Sequence, residues 1–328
     1  MNVLITGGAG FIGSHLGEAL LDRGDSVTAV DDLSTGSLAN IAHLVDRDGF
    51  RFVRGTVCDE SAMVALVDRA DMVFHLAAAV GVKLIAERPV HTIETNIHGS
   101  EIVLALASRY GTPIVLASTS EVYGKNTRTP FREDNDTTLG PTTYTRWSYA
   151  CSKMVDEFLA LAYHEQFGLP AVVVRLFNTI GPRQTGQYGM VVPRFVSRAL
   201  RDEPIEIYGT GDQTRCFCHV ADVVRALLDL VECPEARGQV INVGNDTPMS
   251  INELADTIIE MTGSGSEIRR LTYEEAYGRP FDDMMVRAPD LGKLKRLTGY
   301  EPARALRDCF QDIIDYEHGR LEAGAATG

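Results

Sequence analysis

A short apolar run, Val3-Leu4-Ile5, leads into Gly7-Gly8-Ala9-Gly10-Phe11-Ile12-Gly13 and then into a helical stretch through His15 to Arg23 that closes at Gly24. Strand, glycine turn and helix in that order constrain the fold more than any other feature of the chain. Small residues allow a tight turn, close approach of backbone to an anion, and close packing of helix on strand. A helix N-terminus adds unpaired N–H groups and the positive end of a dipole, so the segment suits a pyrophosphate. A bare G-x-x-G-x-x-G is a weak signal, equally readable as a structural turn. Its place between strand and helix strengthens it.

The alternation continues. Val27–Val30, Phe52-Val53, Met72–Leu76 and Ile114–Ala117 are further apolar runs, with a long helical stretch from about 98 to 109. Ala171–Arg175 follows another helical stretch. Helices between buried strands imply a parallel sheet with right-handed crossovers. The expected fold class is therefore α/β, a doubly wound parallel sheet of the Rossmann type with a smaller α/β domain. After Asn178 the chain turns to loops rich in Gly, Pro and Arg. The expected division is a dinucleotide-binding domain over 1–177, revisited at about 217–245, a substrate domain over 178–216 and 246–320, and a flexible tail over 321–328.

Asp31 lies at the end of the second strand, 18 residues past Gly13. That position suits hydrogen bonds from a ribose diol. Asp32 follows it, and no Arg or Lys stands nearby in sequence to receive a 2′-phosphate, which favours NAD over NADP. An ordinary loop carboxylate is the plainer reading of Asp31.

Composition removes several partners. The 328 residues carry a net charge of −14, against nucleic acid or an anionic membrane as the main partner. An anionic small ligand remains compatible, because local basic residues can still form a pocket. No apolar run reaches the roughly 20 residues of a membrane helix. Met1 and Asn2 lead directly into the first strand, so no signal peptide is expected. The cysteines (Cys58, Cys151, Cys216, Cys218, Cys233, Cys309) lack metal-ligand spacing, and Cys216-Phe217-Cys218 reads as alternating strand positions. No metal site is expected, and unpaired thiols fit a cytoplasmic protein.

The chemistry is carried by Tyr149 and Lys153. Four residues apart, they share one helix face about a turn apart. There the ammonium can favour the phenolate, bringing a phenol of ordinary pKa about 10 nearer to neutral pH. Alone, such a pair is more often a surface pair. With a glycine turn upstream it points to hydride chemistry on an alcohol.

With these residues in place, the chain resembles the extended short-chain dehydrogenase/reductases of the nucleotide-sugar epimerase, dehydratase and decarboxylase group, over roughly residues 1–315. The resemblance rests on Gly7–Gly13, His75-Leu76-Ala77-Ala78, Ser118-Thr119-Ser120-Glu121-Val122-Tyr123-Gly124 and Tyr149/Lys153. It rests also on Arg175-Leu176-Phe177-Asn178, Gly181-Pro182-Arg183 and Gln213-Thr214-Arg215. It implies NAD as cofactor, a UDP-sugar as substrate and a homodimer through the helices near 98–109 and 149–167. Tyr149 would take the C4 hydroxyl proton, Lys153 would hold the nicotinamide ribose and lower the Tyr149 pKa, and Thr119 would help relay the proton. Gly7, Gly10, Phe11, Ile12, Gly13, Asp31, Leu76, Ala77, Ala78 and Asn96 would serve the cofactor. Thr56-Val57 stands where many relatives carry an Asp for adenine. Asn178, Arg215 and Arg287 would hold the diphosphate end, with Arg183 and Lys83 as further candidates. Pairing with surface carboxylates is the plainer alternative for the arginines.

Within the group, Ser120 replaces the acid that dehydratases resemble at this position, and a serine cannot supply that proton. Ser120-Glu121 resembles the UDP-glucuronic acid decarboxylases, in which oxidation at C4 makes a β-keto acid. One departure is Met190, where many such decarboxylases carry an Arg. Lys83 or Arg183 would then supply the cation, or some 4-keto sugar would escape. A C4 epimerase is the alternative reaction. A non-enzymatic cofactor-sensing scaffold is the third reading, against which the intact Tyr/Lys pair stands.

Overall fold

The computed structural model describes every residue except 82–84, 86, 187–189, 279–281, 327 and 328. A 7-stranded sheet is built from β1 (Asn2–Thr6), β2 (Ser26–Asp31), β3 (Phe50–Arg54), β4 (Met72–His75), β5 (Ile114–Thr119), β6 (Ala171–Leu176) and β7 (Gln239–Val243). Its spatial order is β7-β6-β5-β4-β1-β2-β3, and every pairing is parallel. The order reverses between β1 and β4. In doubly wound sheets, ligands bind at the carboxyl ends of the strands beside such a switch point.

Both faces of the sheet are covered, which is why its strands read as unbroken apolar runs. Val3 and Ile5 pack with Leu16 and Leu20 of helix α1 (Phe11–Asp22), and with Val223 and Leu227. Leu4 faces the other way, toward Val103 and Leu106 of α2 (Pro89–Tyr110) and Ala160 of α3 (Arg146–Phe167). Each such burial contributes roughly 1.5–3 kcal/mol. Helix α2 begins at Pro89 rather than near residue 98, because proline's fixed φ suits the first helical position. It stops at Gly111, in the left-handed region at φ 68°.

A separate core gathers Phe195, Ile205, Ile207, Phe217, Leu254 and Phe310. The Cys216-Phe217-Cys218 segment does not alternate in burial; all three residues are buried. It passes between two cores, with Phe217 in one and Cys218 in the other. The final helix, Leu306–Ala326, continues where a flexible tail was expected from 321. Among the described residues, no helix is long and apolar enough to cross a membrane, and no group of His, Cys, Asp and Glu could hold a metal.

Candidate active site

The carboxyl ends of β1, β2, β4, β5 and β6 open into a cavity of about 830 Å³. Its first half is built by the glycine turn. Gly7 adopts φ +70°, and a Cβ on Gly13 would stand 2.2 Å from the Gly7 carbonyl oxygen. Gly10 caps α1 and has no side chain to cover the N–H groups of the first turn. Those donors remain available to a pyrophosphate. Asp31 lines the same region and accepts N–H bonds from Ala9 (3.0 Å) and Leu33 (2.8 Å). Burial pushes its carboxyl above the ordinary value, while these N–H groups oppose the shift. Arg54 is in strand register with Asp31 but does not line the cavity. Thr56, Val57, Leu76, Ala77 and Ala78 complete this wall. The Thr56 hydroxyl accepts the Cys58 N–H at 3.3 Å. The donor turn, the acidic ribose position and the small-residue walls fit a dinucleotide.

Asn96, expected among the cofactor residues as a support for the active-site strand, does not line the cavity. Its Oδ1 accepts the Ala79 N–H at 2.8 Å and its Nδ2 donates to Ser152 Oγ at 3.2 Å, tying the segment after β4 to α3.

At the end of β5, Thr119 and Tyr149 both line the cavity, and Thr119 favours the ionised form of the Tyr149 phenol. Burial first, and then the Glu121 charge, push that phenol above its ordinary value. The expected lowering by Lys153 is not met in the ligand-free chain. The Lys153 ammonium donates instead to Asp156 Oδ2 at 2.7 Å, and Lys153 does not line the cavity. A carboxylate on the same helix face takes the charge that the four-residue spacing assigned to the phenol.

The opposite end holds three guanidiniums and two carboxylates. Arg287 donates to Ser120 Oγ at 2.5 Å and lies 3.5 Å from Glu121 Oε1. Arg146 lies 3.8 Å from Glu121 Oε1 and 3.5 Å from Asp283 Oδ1. Arg215 donates to Asp283 at 2.9 Å, and Tyr273 donates to its other oxygen at 2.9 Å. Burial works against the Asp283 carboxylate, yet Arg215 and Arg146 hold it below its ordinary range. Burial pushes Arg287 down to about 10, so it stays charged at neutral pH. The cluster carries one excess positive charge and suits an anionic ligand.

Thr119, Glu121, Tyr149, Asn178, Arg183, Arg215 and Arg287 all line the one cavity. Ser120 is fully buried and does not. Arg183 reaches away from the other arginines, to Glu18 of α1 at 2.5 Å, so it lies on the dinucleotide side. Lys83 lies outside the described residues. Met190 lines the cavity as the cap of helix Val191–Ala199. The residues missed from sequence are Arg146, Asp156 and Asp283. Arg146 stands three residues before Tyr149, a spacing that shares its helix face. Asp283 lies in an irregular segment that carries no periodic signal.

A relative from Bacillus cytotoxicus, called UDP-N-acetyl-alpha-D-glucosaminuronate decarboxylase, is 42% identical over 314 residues, covering 95% of this chain and 96% of its own. UDP-glucuronic acid decarboxylase 1 of Xenopus tropicalis is 36% identical over 323 residues, covering 98% and 73%. The solved structure of UDP-glucuronic acid 4-epimerase from Bacillus cereus, in complex with UDP-glucuronic acid and NAD, is 28% identical with a TM-score of 0.87, covering 97% and 99%. The model of the NAD dependent epimerase/dehydratase family matches residues 3–244, and the chain belongs to that family.

Proposed function

We propose that the protein decarboxylates UDP-glucuronate through a 4-keto intermediate. The observation that carries this reading is Glu121 facing Tyr149 across the cavity end, with Arg146 and Arg287 on either side of its Oε1. The relatives with decarboxylase names support it.

NAD, which the glycine turn and Asp31 would hold, would supply the hydride acceptor for C4. Tyr149 takes the C4 hydroxyl proton, and Thr119 holds the reacting oxygen. Lys153 serves the cofactor ribose. The resulting C4 ketone makes the uronate a β-keto acid, so the C5–carboxylate bond breaks and its electrons pass into the enolate. Glu121 disfavours retention of a neighbouring carboxylate, and its Oε2 is buried without a hydrogen-bond partner among the described residues. Arg146 and Arg287 place cations beside Glu121 at this end, and Met190 adds none. Asn178 and Arg215 hold the diphosphate side, with Asp283 orienting the Arg215 guanidinium.

A second substrate is favoured by one observation: the relative at 42% identity acts, by its name, on the 2-acetamido sugar. The test for both is incubation with NAD and either UDP-glucuronate or UDP-N-acetylglucosaminuronate, followed by mass. Loss of CO2 is expected. A product of unchanged mass with C4 inverted would replace the decarboxylase with the epimerase.

We further infer a cytoplasmic homodimer. Val90 and Ile93 on α2, with Val155 and Phe158 on α3, are exposed apolar residues, Phe158 to 70%. Such a patch suits a second copy of the same helix pair. The cysteines are free, as suits a reducing compartment.

A further inference from the structure

Lys153 and Asp156 form an ion pair with side chains only 2% and 1% exposed. Taking two charges out of water is expensive, above all where a charged oxygen stays unsatisfied. Asp156 Oδ1, the oxygen that Lys153 does not take, is buried with no hydrogen-bond partner among the described residues. The Lys153 charge also reaches His75 of β4, whose Nε2 is hydrogen-bonded to Ser100 Oγ of α2 at 3.1 Å and whose Nδ1 is hydrogen-bonded to Thr6 Oγ1 of β1 at 2.8 Å. Thr6 Oγ1 also accepts the N–H of Ala77 at 3.2 Å. Burial, then the nearby Lys153 charge, pushes His75 down to about 3, which keeps the ring neutral. Lys153 therefore has Asp156 as its anionic partner, beside a neutral network that ends under the cofactor wall.

We propose that Asp156 is a positioning residue for Lys153, its carboxylate fixing where the buried ammonium sits behind the cavity wall. This rests on the reading above, in which Lys153 serves the nicotinamide ribose. The ribose hydroxyls would share an ammonium already oriented by Asp156. The charges facing Tyr149 are Glu121, Asp156 and Arg287, so Asp156 also bears on the phenol.

The test compares the full-length protein with Asp156→Asn, Lys153→Met and the double variant. Two readouts are needed: the rise in melting temperature on adding NAD, and the pH profile of turnover. Asp156→Asn is expected to shrink the NAD-induced rise. It should lower turnover on the order of 10–100-fold, by analogy with the outer partners of metal ligands. The acid limb should move to lower pH, because one negative charge that raises the phenol is gone. In the Lys153→Met background the same change should cost no further turnover. Effects that multiply in the double variant, or an NAD-induced rise that does not shrink, would show that Asp156 does not act through Lys153. Should Asp156→Asn fail to fold, Asp156→Ser removes the carboxylate and keeps a short polar side chain. It should also shrink the NAD-induced rise, and an unchanged rise overturns the proposal. The NAD readout does not depend on the sugar, so failure of every uronate to react would sink the proposed reaction separately.

Discussion

Arg287 donates to Ser120 Oγ at 2.5 Å across a sequence separation of 167 residues. The same guanidinium lies 3.5 Å from Glu121 Oε1. The Ser-Glu pair after β5 is therefore not an isolated acidic motif. It is one side of a buried end wall with one excess positive charge, whose other side comes from the far end of the chain.

Replacing Tyr149 by Phe keeps the ring and removes the base. Turnover should fall by at least the roughly 10²–10⁴-fold of general base catalysis, with NAD affinity nearly unchanged. Product mass and NAD titration check both parts. Near-parental turnover in the variant would remove Tyr149 from the mechanism.

Asp31 faces the cofactor half with no Arg or Lys lining the cavity beside it. The protein should use NAD and discriminate against NADP. Asp31→Ala should lose hydrogen bonds to a charged group, roughly 1.5–3 kcal/mol, and so weaken NAD binding about 10–100-fold. Equal turnover of the parent with NADP would contradict this assignment.

Met190 cannot bind a carboxylate or protonate an enolate. Decarboxylation needs only the C4 ketone as electron sink, whereas reprotonation at C5 and reduction at C4 come later. If those steps are slowed by about 1–2 kcal/mol, or 5–30-fold, release of the ketone competes. Part of the product should leave as the 4-keto pentose, and Met190→Arg should shift it toward the reduced pentose. A parent that releases only reduced pentose would show that Arg146 and Arg287 suffice.

Glu157 is buried between Arg175 (2.7 Å) and the Ser118 hydroxyl (2.5 Å), binding α3 to β5 and β6. Glu157→Gln leaves a buried guanidinium without its counter-charge. The cost should be roughly 3–5 kcal/mol, read as a lower denaturant midpoint. A midpoint within error of the parent would mean that water or relaxation replaces the pair.

The sequence by itself determined the parallel sheet, the dinucleotide turn and the Tyr149 helix, because each is encoded by neighbours. Apolar runs at Val3–Ile5 and Ala171–Arg175, glycines where a Cβ would collide, and a four-residue spacing all act within a few residues of themselves. Tertiary structure decided what those residues meet. Lys153 was legible as a partner of Tyr149 by spacing, yet Asp156, equally close on the helix, holds its ammonium. Arg146 was hidden in plain spacing, and its role follows from Glu121 and Asp283, which arrive from separate segments. The sequence ranks Arg183 behind Arg215 as a diphosphate candidate without showing why; in the fold one turns to Glu18 and the other to Asp283. Local geometry repeats with the period of a helix or strand and so leaves a pattern. Long-range charge pairing has no period, and only the folded chain shows which carboxylate each cation reaches.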